Sequence, residues 1–384
     1  MNMKRNVLAL AISGGLLAAP MAATAGPEVY GLIDIGLESI NDSDAASANE
    51  IFAGFNSAGG NSDDRDFTLS NAMQSRLGVR GSEDLDYGGL TASYNIEFAV
   101  DVLNELGGGM GNSVGTRLGW AAIGGDWGTI KVGSQWQPLF EFGAWNAHRT
   151  DVHGYGSYFY TTGLMSNSLA FGFRQSSAIS YQYGSAWGHS DPFAFNVTLG
   201  IGEGTRTVED EDGEEMTLAN EESISSVAVA GQYSFNQMIS VNAVYIKEFN
   251  DYADGLGDEE PELINVGARY SVNDALEFGI NYTLVDTDNA DGDKRDSVAI
   301  GSFMDFGNGL DGHLGFATGS DDRDEDTLEG RDLDLNVYGF VRQALSDRTN
   351  VRVEFEHARY DGEAGTGASD PSATLVMLAL QHNF

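Results

Sequence analysis

Five charged side chains sit among apolar neighbours at a spacing of two residues. Arg76 and Arg80 alternate with Leu77 and Val79, Arg117 precedes Leu118 and Trp120, Lys131 lies between Ile130 and Val132, and Asp34 lies between Ile33 and Ile35. In an extended chain successive side chains point to opposite faces. With Leu77, Val79, Leu118, Trp120, Ile130 and Val132 on one face, Arg76, Arg80, Arg117 and Lys131 share the other, and Asp34 joins them. Four cations on one wall make a field that attracts and orients passing solutes. They are not equipped to make or break bonds. The six histidines, His148, His153, His189, His313, His357 and His382, fall in no G-x-S-x-G or H-E-x-x-H setting, so no nucleophile and base are paired in sequence. With no cysteine, disulfides and thiolate metal sites are excluded. No cofactor and no metal site are expected.

The elements that must hold these charges are strands. Leu90, Ala92, Tyr94, Ile96, Phe98 and Val100 alternate with Thr91, Ser93, Asn95, Glu97, Ala99 and Asp101, which is a period of two. The same rhythm predicts sixteen strands, at 28–39, 68–81, 89–101, 115–124, 128–136, 175–184, 192–201, 223–234, 238–248, 262–271, 275–286, 296–306, 309–318, 333–343, 349–360 and 373–384. Short turns alternate with long polar loops, the longest after residue 100 being 137–174. An even number of antiparallel strands closes without an exposed edge. The alternation of turns and loops suits an outer-membrane barrel, whose lipid-facing residues occupy every second position. A soluble β-sandwich of this size would have to hide two sets of edges. The expected fold is therefore all-β, a sixteen-stranded antiparallel transmembrane barrel. Its last strand, ending at Phe384, is expected to close the sheet.

Residues 1–25 read as a cleaved export signal. Lys4 and Arg5 precede the short apolar run Val7–Leu17, and Ala23-Thr24-Ala25 offers a small-residue cleavage site. Residues 26–384 then form a single barrel domain. No apolar run after residue 25 is long enough for a membrane helix. Acids outnumber bases 58 to 20, a formal charge of −38. Removing Lys4 and Arg5 leaves 18 − 58 = −40. Such a surface repels nucleic acid. It either draws cations or keeps the protein soluble in a salty medium. The surplus acid clusters in loops, at Glu209–Asp212 with Glu214 and Glu215, and at Asp321–Asp326. Neither cluster fits a calcium-loop frame. Such blocks of like charge read first as solvated, mobile loops, and weak divalent-cation bridging to lipopolysaccharide ranks behind that reading and ahead of a dedicated calcium site.

The motifs then resemble a family, the general diffusion porins of Gram-negative outer membranes. Tyr30-Gly31-Leu32-Ile33-Asp34 is similar to their Y-G-x-x-D opening, and residues 75–85 to S-R-x-G-x-x-G-x-E-D-L. Residues 124–135 resemble G-x-F-G-x-x-x-x-G-R-Q, with Trp127 for the usual Phe and Ser134 for the usual Arg. His382-Asn383-Phe384 matches the H-x-F ending of some branches. The resemblance implies a homotrimer embedded in outer-membrane lipid and lipopolysaccharide. It also implies that loop 137–174 folds into the lumen as a constriction. Glu141 and Asp151 are the candidate acids facing Arg76, Arg80, Arg117 and Lys131 across the narrowest section.

By alternation, Arg269, Asp311, His313, Asp334, Arg342, Arg352, Glu354 and Glu356 also face inward. Their mixed signs suit a wet lumen and form no basic ladder for phosphate. The expected function is passive diffusion of small hydrophilic solutes and ions. Mouth charges argue for cations and the basic wall for anions. Because exposed charges are screened beyond ~8 Å at physiological ionic strength, only a weak cation preference is expected. A substrate-selective channel and a loop-mediated adhesin barrel are the alternatives.

Overall fold

The structure is a computed structural model that describes residues 26–42, 65–72, 75–103, 114–143, 172–186, 191–202, 205–209, 215–219, 223–236, 238–249, 260–286, 294–322, 332–361 and 372–384. The signal 1–25, Asp151 and most of loop 137–174 lie outside the described residues. Among the described residues no helix is long and apolar enough to cross a membrane, which leaves strand crossing open.

The strands are β1 (Glu28–Asp42), β2 in two segments (Arg65–Ser70 and Arg76–Asp84), β3 (Thr91–Val100), β4 (Val114–Gly125), β5 (Gly128–Trp136), β6 (Arg174–Tyr183), β7 (Phe193–Ile201) and β8 (Ile224–Ser234). There follow β9 (Ile239–Glu248), β10 (Glu262–Asn273), β11 (Leu276–Asp286), β12 (Lys294–Gly307), β13 (Leu310–Asp321), β14 (Leu333–Ala344), β15 (Thr349–Tyr360) and β16 (Ser372–Asn383). Each pairs antiparallel with the next. β1 also pairs with β16 from Leu32↔Asn383 to Asp42↔Ala373, so the sheet is a closed sixteen-stranded barrel. Closure matters because an unpaired backbone group in hydrocarbon costs several kcal/mol. Phe384 extends the seal. Its amide donates to the Gly31 carbonyl at 3.0 Å and its carbonyl accepts from the Gly31 amide at 3.1 Å.

The sides of the sheet are inverted relative to a water-soluble protein. Outside lie Ile33, Leu37, Ile123, Ile130, Val132, Val229, Ile280, Leu314, Val353 and Leu378, all exposed. Inside, Asn196, Thr198, Asn265, Asn281, Asn336, Glu354, Glu356 and Gln381 are buried. An aromatic belt rings the short-turn end. Trp127 stacks on Tyr181 (6.1 Å between centroids), Tyr181 meets Phe195 (5.5 Å), and Tyr233 meets Phe235 edge-on (4.9 Å). Amphipathic rings favour the headgroup level.

Sequence reasoning missed four irregularities. First, the β1–β2 seam jumps from Leu32↔Arg76 to Gly36↔Ser70, setting three β1 residues against five of β2. There the Asp34 amide donates to Ser75 Oγ at 3.0 Å in place of a backbone carbonyl. Second, the register shifts beside Arg117. Beyond this bulge the alternation flips, as expected when one strand gains a residue. Leu118 is buried, and Trp120 takes the same face as Ala122 and Lys131. The outward assignment of Leu118 and Trp120 is thus overturned, although Arg117 is buried as expected. Third, a shift between Leu333 and Leu335 leaves Asp334 exposed and ion-paired with Arg359, not facing inward. Fourth, Thr205–Glu209 and Glu215–Ala219 pair as a separate hairpin inside what read as a plain loop, 202–222.

Candidate functional site

The site is the charged inner wall and the root of loop 137–174. Arg76 on β2 and Arg117 on β4 flank Glu97 on β3. Arg117 Nε donates to Glu97 Oε1 at 2.7 Å, while Arg76 acts on Glu97 through its charge. The Arg76 side chain is nine-tenths buried, and among the described residues its Nε has no hydrogen-bond partner. Tyr30 closes the other side of Glu97, donating to Glu97 Oε2 at 3.0 Å and to Asn95 Oδ1 at 2.8 Å. Arg80 is held by Glu28 at 2.9 Å, with its guanidinium 4.9 Å from the Tyr30 ring centre. Lys131 Nζ lies 4.9 Å over the Trp120 ring. Trp120 can reach Lys131 only because β4 is bulged. Opposite Trp120, Gly133 has φ +124 and a Cβ there would lie 2.1 Å from the Gly119 carbonyl, so only glycine fits.

Arg174 also belongs to this group. It acts on Arg117 electrostatically, and both guanidiniums approach Trp136, at 5.8 and 5.9 Å from the ring centre. Sequence reasoning missed it by starting the strand at residue 175, one position too late.

Loop 137–174 opens with a single π-turn, Leu139–Gly143, in which all five residues are buried. Leu139 and Phe142 pack with Ala186, Ala194, Ala228, Ala230, Val244, Ile246, Leu263 and Val285. Of these, the strand residues come from β7 to β11, so the described root of the loop folds against the inner wall. Phe140 stacks on Trp136 at 4.3 Å and meets Phe173 at 4.9 Å. Glu141 is buried. Burial holds its carboxyl above the ordinary carboxylate range, and the charge of Lys131 pulls it back down. Glu141 and Lys131 are therefore brought within electrostatic reach of each other.

Asp34 faces inward but has different company from that expected. It is fully buried, with Arg352 Nη1 2.8 Å from its Oδ2 and Gln381 Nε2 donating to the same oxygen at 3.0 Å. Arg352 is also bound to Glu354. Arg342 makes a two-pronged pair with Asp311, at 3.0 and 2.7 Å. Among the described residues no group of three or more His, Asp or Glu side chains is placed to hold a metal ion.

A family profile described as Gram-negative porin matches residues 7–363. No curated protein sequence matches at a significant level. Among solved structures, an anion-selective porin from Comamonas acidovorans is similar at 18% identity and TM-score 0.67, over 94% of this chain and 99% of that one. Salmonella typhi OmpF, in complex with daunomycin, is similar at 16% identity and TM-score 0.62, over 93% and 97%. A trimer form of OmpT, an outer membrane protein of Vibrio cholerae, is similar at 16% identity and TM-score 0.57, over 94% and 99%. At these identities the likeness concerns the fold.

Proposed function

The chain belongs to the Gram-negative porin family and is an outer-membrane channel, and from that premise we propose that it passes small hydrophilic solutes and ions by passive diffusion through a constriction of two signs. Residues 1–25 direct export and are removed. The wall of Arg76, Arg80, Arg117 and Lys131 supplies the positive side. Glu141 supplies the negative side, with Asp151 as the second acid. The observation that carries this reading is the approach of buried Glu141 to Lys131, because it sets an acid from the loop root against a cation of the wall. A transverse field in such a section orients dipolar solutes and disfavours apolar ones.

On ion preference, the mature formal charge of 18 − 58 = −40 supports a weak preference for cations, whose concentration it raises at the mouths. One observation favours the opposite reading. Arg76 is buried with an Nε that has no partner among the described residues, and Arg117 and Arg174 stand nearby, so a passing anion would find donors. Reversal potential across a planar bilayer in a salt gradient decides between them, and an anion-selective wild type rejects the cation preference. An electrically silent protein would favour a loop-mediated adhesin, and a channel blocked by one solute class a substrate-selective pore.

The working unit is proposed to be a homotrimer embedded in outer-membrane lipid and lipopolysaccharide. A depression of about 1100 Å³, lined by Gly81, Ala92, Ala121, Ile123, Ile130 and Val132 among others, offers a place for a neighbouring barrel. Conductance rising in triplet steps is the expected signature.

A further inference from the structure

We propose that Asn265 on β10 and Asn281 on β11 are positioning residues that fix the π-turn Leu139–Gly143, and with it Glu141, inside the lumen. Asn281 Nδ2 donates to the Gly143 carbonyl at 2.9 Å, across 138 residues of sequence. Asn265 is fully buried beside it. Its Nδ2 donates to Thr283 Oγ1 at 2.8 Å, which turns Oδ1 toward the π-turn. A Cβ on Gly143 would lie 2.4 Å from that Oδ1, so the loop passes the wall with no room for a side chain. Among the described residues the Asn265 Oδ1 itself has no hydrogen-bond partner. It therefore sets the closeness of the approach by contact, while Asn281 supplies the directional bond.

Two further observations show that this attachment is built rather than incidental. Leu139 and Phe142 sit in a socket whose other walls are four alanines and four branched aliphatic residues. Small side chains there leave room for the turn. The turn also ends where the two asparagines begin, so apolar docking and hydrogen bonding act on adjacent residues. A strut seated this way moves Glu141 whenever it shifts, because Glu141 lies between the docked Leu139 and the bonded Gly143.

The inference rests on the proposed role of the loop as the constriction. Its test uses the full-length protein refolded in detergent and inserted into planar bilayers. Asn281→Ala should change single-channel conductance about twofold and raise open-channel noise, while the folded band on a heat-modifiability gel survives. Asn281→Ser, which keeps a donor, should restore part of the wild-type current. Gly143→Ala should perturb the current in the same way. Adding Asn265→Ala to Gly143→Ala removes the 2.4 Å clash and should bring the current back toward wild type. Wild-type conductance and noise in both Asn281→Ala and Gly143→Ala would overturn the inference and leave the channel reading intact. A Gly143→Ala defect that Asn265→Ala fails to relieve would overturn the part assigned to Asn265. A wild-type protein without any conductance would instead reject the channel reading itself.

Discussion

Two parts of the inner wall carry guanidinium groups, and they use them differently. On β13, β14, β15 and β1 the charges neutralise each other. Arg352 is bound by Asp34 and Glu354, and Arg342 by Asp311. On β2 to β6 the cations crowd together. Among the described residues, Glu97 is the one carboxylate hydrogen-bonded amid Arg76 and Arg117, with Arg174 pressing on Arg117. The first arrangement is a clasp, since paired charges in a low-dielectric site hold two strands together but project little field. The second keeps a surplus of cations: Arg80 pairs with Glu28 and Arg117 with Glu97, while rings at Tyr30, Trp120 and Trp136 lie beside Arg80, Lys131 and Arg117 and steady them without adding negative charge. The same residue type is structural on one side and field-forming on the other, and the difference lies in its partners.

The comparison breaks most visibly at Arg352. Arg352→Met should strip Asp34 and Glu354 of their shared cation, and breaking a buried pair costs about 3–5 kcal/mol. A lower unfolding temperature of the folded band is expected, with the ion selectivity of surviving channels nearly unchanged. Arg76→Gln should do the reverse. The cation-to-anion permeability ratio should rise by roughly twofold, read as a shifted reversal potential, with thermal stability little altered. If both variants moved the same observable, the division into clasp and field would be wrong.

Glu141 sharpens the comparison through pH. Burial raises its carboxyl above the ordinary range. On acidification it should take up its proton at a higher pH than an exposed glutamate, and the preference for cations should fall there. Glu141→Gln should flatten that step. The sign for stability follows from the same shift. The folded state binds this proton more tightly than the unfolded state, so the contribution of Glu141 is full below the ordinary carboxylate range and is lost as pH rises through its raised value. The smallest effect belongs to Lys247, whose partners Glu260 and Glu262 lie at 2.9 and 3.0 Å on an accessible surface. Lys247→Ala should cost no more than about 0.2–1 kcal/mol, and less in high salt.

The strands were legible because lipid on one side and water on the other impose a strict period of two. Predicted strands 128–136 and 349–360 agree with the structure at both ends. What alternation could not show was where it slips. One inserted residue beside Arg117 turned Leu118 and Trp120 inward, and another beside Asp334 turned that acid outward. Such bulges leave no mark in residue types. Parity was also blind to partners. It placed Asp34 correctly on the inner face but among the wrong cations, because strand closure brings Arg352 and Gln381 to it from over 300 positions away. Arg174 escaped notice for a simpler reason, since it occupies the first position of its strand, where boundaries are least certain. The acidic residue Glu141 was legible as a candidate from loop position and charge. Its socket was not, because the residues that form it are scattered from Ala186 to Val285 over five strands and a turn.

One feature of the wall has a mechanical side. Between Leu32 and Gly36 the described link between the first two strands is the Asp34 amide on the hydroxyl of Ser75, while on its other side β1 is laced to β16 by unbroken backbone pairing. A tube woven evenly tears anywhere under load. This one has a dropped stitch, so a force applied around its circumference would open it first along that line.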